Sequence, residues 1–248
     1  MRAVVVIPAR YKSSRFHGKP LVLLLGKPMI RWVAEIAEKA VGVESVYVAT
    51  DDRRIQEVVV NAGYQALMTS ENALTGTDRV AEAAKLVEAD IYVNVQGDEP
   101  LLSWRDIVRV IDAKKNNMDK VINCFSLIRK KEEADNRNIP KIITTENSRF
   151  VYASRCPLPA GKNAKLIPES YKKQVCIYAY TKEELDTFRK FGRKSQLEFY
   201  EDIEILRFLE FDKEVLMIEV EAGSIAVDVP EDVGAVELKL SGRESGPT

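Results

Sequence analysis

The sequence predicts an α/β fold, with a mainly parallel sheet and a mixed lobe in the second half of the chain. Three observations carry this. Strand and helix signatures alternate from residue 3 to residue 115, the pattern of right-handed crossovers between parallel strands. The first strand, Val4-Val5-Val6-Ile7, is a continuous apolar run, as expected of a strand covered on both faces. And 248 residues, 46% hydrophobic and 30% charged, are enough chain for a proper core.

In chain order, residues 3–7 form the first strand. In "KPMIRWVAEIAEKA", Met29, Val33, Ile36, Ala37 and Ala40 share one helical stripe. "SVYVAT" is a second strand. "DDRRIQEVVVNAG" opens on capping aspartates and closes on Gly63 just past the helix end. "TDRVAEAAKLVEA" is a third helix, "DIYVNV" a strand running into the loop "QGDEP", and "SWRDIVRVIDAKK" a helix with Ser103 as its N-cap. In the second half, "PKIITTENSRFVYASR" reads as two strands around a polar turn and "QVCIYAY" as another. Thr181 with Glu184, and Ser195 with Glu198, form capping boxes for two helices, the second being "QLEFYEDIEILRFLEF". "VLMIEVEA" and "SIAVDV" are strands, and Pro230 suits the first turn of a last helix. No repeat or low-complexity linker divides the chain, so residues 1–240 read as a single domain and residues 241–248 as a flexible tail.

The bulk numbers exclude several classes. A net charge of −1 leaves no global basic field for nucleic acid or anionic membrane, so any anion site is local. No apolar run reaches the length of a membrane span, and the N-terminus enters a strand with no signal-peptide pattern. Cys124, Cys156 and Cys176 are odd in number and scattered, the usage of a reducing cytoplasm. His17 is the one histidine, so a multi-histidine metal site within the chain is excluded. If the chain is an enzyme, carboxylates, lysines and arginines do the work, with or without a metal.

The chemistry-bearing stretches follow strand ends, where open α/β sheets bind ligands. After the first strand, "ARYKSSRFHGKP" supplies Arg10, Arg15 and Lys19 as cations, with Gly18 and serines that let backbone N–H groups approach an anion. The loop reads as a triphosphate holder, and its plainer alternative is a solvated basic turn. It is neither a Walker loop nor a dinucleotide-binding GxGxxG. "VNVQGDEP" brings Gln96, Gly97, Asp98 and Glu99 to the same edge, and "IAVDVPED" ends a later strand on Asp228. Two such acids facing phosphate oxygens suit Mg²⁺. As alternatives, Asp98 serves a turn and Asp228 caps the last helix. "LTGTDR" supplies Thr75, Gly76, Thr77 and Arg79 at a helix start, to read a base or phosphate or simply to cap.

In this order, "IPARYKSSRFHGKPL", "GKPMI", "VATDD", "TGTDR", "VNVQGDEPL", "VYASRCPLP", "IYAY" and "VDVPEDV" resemble the CMP-Kdo synthetases, the 3-deoxy-manno-octulosonate (Kdo) cytidylyltransferases, over nearly the whole chain. The resemblance implies a nucleotidyltransferase fold of the nucleotide-diphospho-sugar transferase type, usually homodimeric and cytoplasmic. Its nucleotide-binding part would span about 1–120 and its acceptor and dimer lobe about 121–215. The implied activity moves CMP from CTP to the anomeric hydroxyl of an acidic sugar, for lipopolysaccharide or capsule. Arg10, Arg15 and Lys19 would hold the triphosphate. Thr77, Arg79 and Gln96 would lie near the cytidine or sugar, and Asp98 and Asp228 would ligate Mg²⁺. Lys19, Asp98, Asp228 and Arg15 would carry the catalysis. Arg155, Gln174 and Tyr178 would line the acceptor pocket, with Lys141 and Glu198 as neighbours.

The chain departs from the family pattern in that acceptor half. Two family histidines are missing, one of them replaced by Gln174, and His17 stands where proline is usual. CTP use is therefore better supported than Kdo use. A cytidylyltransferase for another acid (8-amino-Kdo, a different 2-keto sugar acid or a phosphonate) and a non-catalytic nucleotide-binding relative stay open.

Overall fold

The computed structural model of the chain describes residues 1–13, 16–128, 131–162, 168–221 and 225–244. One nine-stranded sheet forms its centre. Strands β1 (Ala3–Ala9), β4 (Val46–Thr50), β5 (Gln65–Met68) and β6 (Ile91–Val95) form a parallel half in the order β6-β1-β4-β5. β10 (Tyr171–Tyr180) runs antiparallel to both β6 and β7 (Val121–Ile128), and β11 (Val215–Glu219) closes the edge parallel to β7. β8 (Lys141–Thr144) and β9 (Phe150–Ser154) extend the sheet from β10, and β2 (Leu23–Leu24) with β3 (Lys27–Pro28) makes a separate small hairpin. The mixed half thus belongs to the same sheet as the parallel half.

β1 shows why the sheet is covered on both sides. Val4 to Ile7 have no exposed surface. Alternate residues point to opposite faces, so Val5 and Ile7 pack with α1 (Met29–Val41), α2 (Arg53–Asn61) and α4 (Trp104–Asn116). Val4 and Val6 pack with α3 (Gly76–Ala83) and α6 (Lys182–Lys190). Each such fully buried side chain contributes roughly 1.5–3 kcal/mol. The stripe of α1 buries Met29, Ile30, Val33, Ala34 and Ala37.

Several elements differ from the sequence reading. β5 and β7 were not anticipated. The helix read over residues 77–89 ends at Ala83. The strand read in "SIAVDV" is not formed among its described residues: there the Val227 N–H leaves any ladder and donates to the Asp98 carbonyl at 2.9 Å. The single helix read through "QLEFYEDIEILRFLEF" is two, α7 (Gln196–Glu201) and α8 (Ile205–Glu210). It breaks at Asp202, which adopts a left-handed conformation (φ 52°, ψ 50°). Arg155 pins the break by donating to the carbonyls of Glu201 and, at 2.9 Å, of Asp202. α5 (Lys131–Asp135) precedes β8, and α9 (Asp232–Glu244) starts two residues beyond Pro230 and runs into the stretch read as tail. The Thr181–Glu184 capping box stands with both bonds exchanged, while of the Ser195–Glu198 box the half formed is the Glu198 carboxylate accepting the Ser195 N–H at 3.0 Å, the Ser195 hydroxyl having no hydrogen-bond partner among the described residues. No described helix is long and apolar enough to cross a membrane.

Candidate active site

β1 and β6 are parallel neighbours in a register that pairs Val6 with Asn94, so both deliver their carboxyl ends to one rim. There Arg10 and Ser13, from the loop after β1, meet Gln96, Gly97 and Asp98, from the loop after β6. Thr75 and Gly76 at the start of α3, with Glu198 and Glu204 on the facing wall, complete a cavity of about 380 Å³.

The first loop is built to present Lys19. Gly18 (φ 68°) turns the chain, and a Cβ there would both strain the backbone and meet the Tyr11 ring at 3.3 Å. The Gly18 N–H donates to the Tyr11 carbonyl at 3.0 Å. Tyr11 is itself anchored, with the Arg54 guanidinium 3.4 Å over its ring and the exposed His17 edge-on at 4.7 Å. Lys19 then opens a single 3₁₀ turn. Its Nζ lies 2.5 Å from Asp98 Oδ2 and 3.7 Å from Asp228 Oδ1. The two acids therefore share one ammonium, and their facing oxygens can stand no further apart than those two distances laid end to end.

Main-chain bonds bring Asp228 there. The Val227 N–H donates to the carbonyl of Asp98 itself. The Asp232 carboxylate accepts the N–H groups of Asp228 and Val229, at 2.8 and 3.0 Å. Asp232 thus braces the turn that precedes α9, and Asp228 lines the cavity. Arg10 is exposed on the same rim. Arg15 lies outside the described residues.

On the α3 side, Gln96 and Arg79 line the cavity. The guanidinium of Arg79 is engaged below it, donating to Thr69 Oγ1 at 2.5 Å and Asp51 Oδ2 at 2.9 Å. Thr77, expected near the nucleotide or sugar, is buried beneath the wall: its hydroxyl donates to Glu204 Oε2 at 2.6 Å and lies 3.2 Å from the Tyr180 hydroxyl. Sequence reasoning missed Glu204. Its carboxylate also accepts the N–H groups of Gly76 (3.0 Å) and Thr77 (2.9 Å), so it occupies the N-terminus of α3, where unpaired donors and the helix dipole favour an anion. Burial pushes its carboxyl above the ordinary range in spite of those donors. No local signal marks it, because the helix start it serves lies far away in sequence.

The acceptor set implied by resemblance is dispersed. Only Glu198 reaches the cavity wall. Arg155 donates to carbonyls, those of Glu201 and Asp202 and, from Nη1 at 2.9 Å, that of Arg137. Lys141 is buried and donates to the carbonyls of Asn136 (2.9 Å) and Arg155 (2.7 Å), and burial pushes its ammonium below the ordinary value. Gln174 and Tyr178 belong to a buried network at a bulge in β10. The Gln174 amide donates to Asn123 Oδ1 (3.0 Å) and the Tyr178 hydroxyl (3.1 Å), while the Asn123 amide donates to the carbonyls of Val175 and Ile177. Burial raises the Tyr178 phenol well above its usual value. Lys194 and Asp202, unmarked by sequence, stand on the cavity wall with Glu198.

Comparison with known proteins identifies the relatives of the chain. The profile of the cytidylyltransferase family matches residues 4–215. A 3-deoxy-manno-octulosonate cytidylyltransferase 2 from Hydrogenovibrio crunogenus is 41% identical over 97% of this chain and 99% of its own length. An 8-amino-3,8-dideoxy-manno-octulosonate cytidylyltransferase from Shewanella frigidimarina is 36% identical over 97% of this chain and 99% of its own. The solved structure of a CMP:2-keto-3-deoxy-manno-octonic acid synthetase complexed with CTP superposes with a TM-score of 0.90 at 36% identity, covering 98% of this chain and all of that one. With the family profile spanning most of the chain and full-length relatives at this identity, the chain belongs to the cytidylyltransferase family, among the 3-deoxy-manno-octulosonate cytidylyltransferases.

Proposed function

We propose that this chain transfers CMP from CTP to the anomeric hydroxyl of Kdo, releasing pyrophosphate, in the cytoplasm and ahead of lipopolysaccharide or capsule assembly. The observation that carries the reading is Lys19 between Asp98 and Asp228 at the cavity rim. The attacking hydroxyl approaches the α-phosphorus opposite the leaving pyrophosphate, and negative charge grows on the equatorial and leaving oxygens. Lys19 and Arg10, with Arg15 by resemblance, hold the triphosphate and stabilise that growing charge more than they stabilise bound CTP.

Two carboxylates completed by phosphate oxygens and water are a donor set that suits Mg²⁺, and no larger cluster of metal-ligating side chains occurs among the described residues. Asp98 and Asp228 would hold the ion, which when bound neutralises phosphate charge. Lys19 stands close enough to both acids to balance them in the free protein.

Kdo is the acceptor that likeness supports over its 8-amino analogue: the Kdo enzyme from Hydrogenovibrio crunogenus is 41% identical to this chain and the 8-amino-Kdo enzyme from Shewanella frigidimarina 36%. The homodimer implied by resemblance would use the face of α7 where Phe199 and Tyr200 are 68% and 75% exposed.

The test is pyrophosphate release from CTP with a panel of Kdo, 8-amino-Kdo, sialic-type acids and small phosphonates. Kdo is expected to give the highest kcat/KM, chelation of divalent cations to abolish turnover, and added Mg²⁺ to restore it. A faster rate with another acid would reassign the acceptor, and full activity in chelator would remove the metal.

Gly76 supplies a second check. A Cβ there would come within 2.8 Å of the Gln96 amide nitrogen, the movable end of a flexible side chain, and 3.3 Å of Pro8. Gly76→Ala should therefore fold with little loss of stability but push Gln96 out of its place on the cavity wall. The expected result is a kcat/KM for CTP roughly tenfold lower, about the value of one hydrogen bond, with a nearly unchanged Tm. An unaltered kcat/KM would remove Gln96 from the nucleotide site.

A further inference from the structure

We infer that Lys194 is the residue that recognises the carboxylate of the acceptor acid. The inference rests on the sugar-acid cytidylyltransferase reading and adds to it the determinant of acid specificity. A carboxylate entering a cavity loses water and needs a cation in exchange. Among the described residues, the cationic side chains lining this cavity are Arg10, Lys19, Arg79 and Lys194. Lys19 lies between Asp98 and Asp228, Arg79 is engaged by Asp51 and Thr69, and Arg10 stands on the triphosphate loop. Lys194 comes from the opposite side, on the loop between α6 and α7, where Glu198, Asp202 and Glu204 form the wall. The cations that resemblance assigned to the acceptor, Arg155 and Lys141, are bonded to main-chain carbonyls, and Gln174 is uncharged. Lys194 is thus the cation presented at the acceptor end.

Its present partner is easily exchanged. Lys194 Nζ is 2.7 Å from Asp202 Oδ1, with side chains 31% and 60% exposed, and an ion pair so open to solvent is weakly held. Asp202 does not depend on that pair for its position. Its N–H donates to the Glu198 carbonyl at 2.8 Å, and its own carbonyl accepts from Arg155 at 2.9 Å. The lysine stem is flexible and its ammonium carries three donors. It can swing from one carboxylate, that of Asp202, to another, that of the acceptor, while the wall stays fixed.

Steady-state pyrophosphate release with CTP, Mg²⁺ and Kdo tests this through separate KM values. Lys194→Ala should raise the KM for the acid roughly 10- to 100-fold, the span of a charge-assisted hydrogen bond, and leave the KM for CTP unchanged. Lys194→Arg should restore most of the loss. Asp202→Asn, which keeps the left-handed turn accessible but removes the competing carboxylate, should lower the KM for the acid. The wild type should prefer Kdo to its carboxamide, and Lys194→Ala should lose that preference. If the ion pair were merely structural, Lys194→Ala and Asp202→Asn would do equal harm. That result, or a wild-type KM for the acid in Lys194→Ala, overturns the inference. Unmodified protein that released no pyrophosphate with any acid would instead overturn the functional reading, and this inference with it.

Discussion

Asp98→Asn is expected to lower kcat about 10²- to 10³-fold at saturating CTP and Mg²⁺, while the KM for CTP moves only a few-fold. The amide keeps the shape of the carboxylate and removes its charge. The Lys19 ammonium then retains only Asp228 of its two acids, at 3.7 Å in the native arrangement, and a cation seated between the two positions loses half its anionic support. On the proposed reading Arg10 and the loop N–H groups would still hold ground-state CTP, so binding should suffer less than turnover. Asp228→Asn should behave alike. Because both acids serve one charge, the double variant should cost much less than the product of the single effects. Single-turnover kinetics with and without Mg²⁺ provide the measurement. An Asp98→Asn protein with its full Mg²⁺-supported rate would remove the acid from the reaction.

The second large effect falls on stability. Arg207 is fully buried and binds Glu198 through Nε and Nη2, both at 2.7 Å, and Asp78 through Nη1 and Nη2, at 3.0 and 3.1 Å. Its guanidinium carbon also stands 3.8 Å over the Phe188 ring. Burial by itself would push the guanidinium down, but the two carboxylates outweigh it and hold the group above its ordinary value. Arg207→Met leaves two carboxylates buried together with no counter-charge, which should cost roughly 3–5 kcal/mol and lower Tm by about 10 °C. Chemical denaturation of the variant measures the loss. Adding Asp78→Asn and Glu198→Gln should recover much of it, since a neutral trio is far cheaper to bury. A loss below about 1 kcal/mol would mean that water reaches the trio. Asp78 lies in the first turn of α3 and Glu198 in α7, so this one cation ties together two walls of the cavity.

The rim where Arg10, Lys19 and Asp98 meet was legible in sequence because its signals are local. A buried strand ending in a basic, glycine-bearing loop, and another ending in "QGDEP", place their functional groups by strand direction alone. The meeting of Asp98 and Asp228 was legible as a pair of strand ends, although the second strand is not formed and a main-chain bond takes its place. The surroundings of the other implied residues were not legible, for a physical reason. Arg155 looks like a ligand in "YASR", but sequence does not reveal that the carbonyls of Arg137, Glu201 and Asp202 absorb its donors. Nor does helical periodicity through residues 196–211 show a break imposed by that same arginine. β7 escaped because "VINCFSLI" does not alternate apolar with polar residues, so periodicity does not separate a buried strand from buried helix.

The bond from Val227 to Asp98 makes the two acid-bearing segments mechanically dependent. A substitution that shifts the main chain after β6 carries the neighbour of Asp228 with it, so the second carboxylate is displaced without its own side chain being touched.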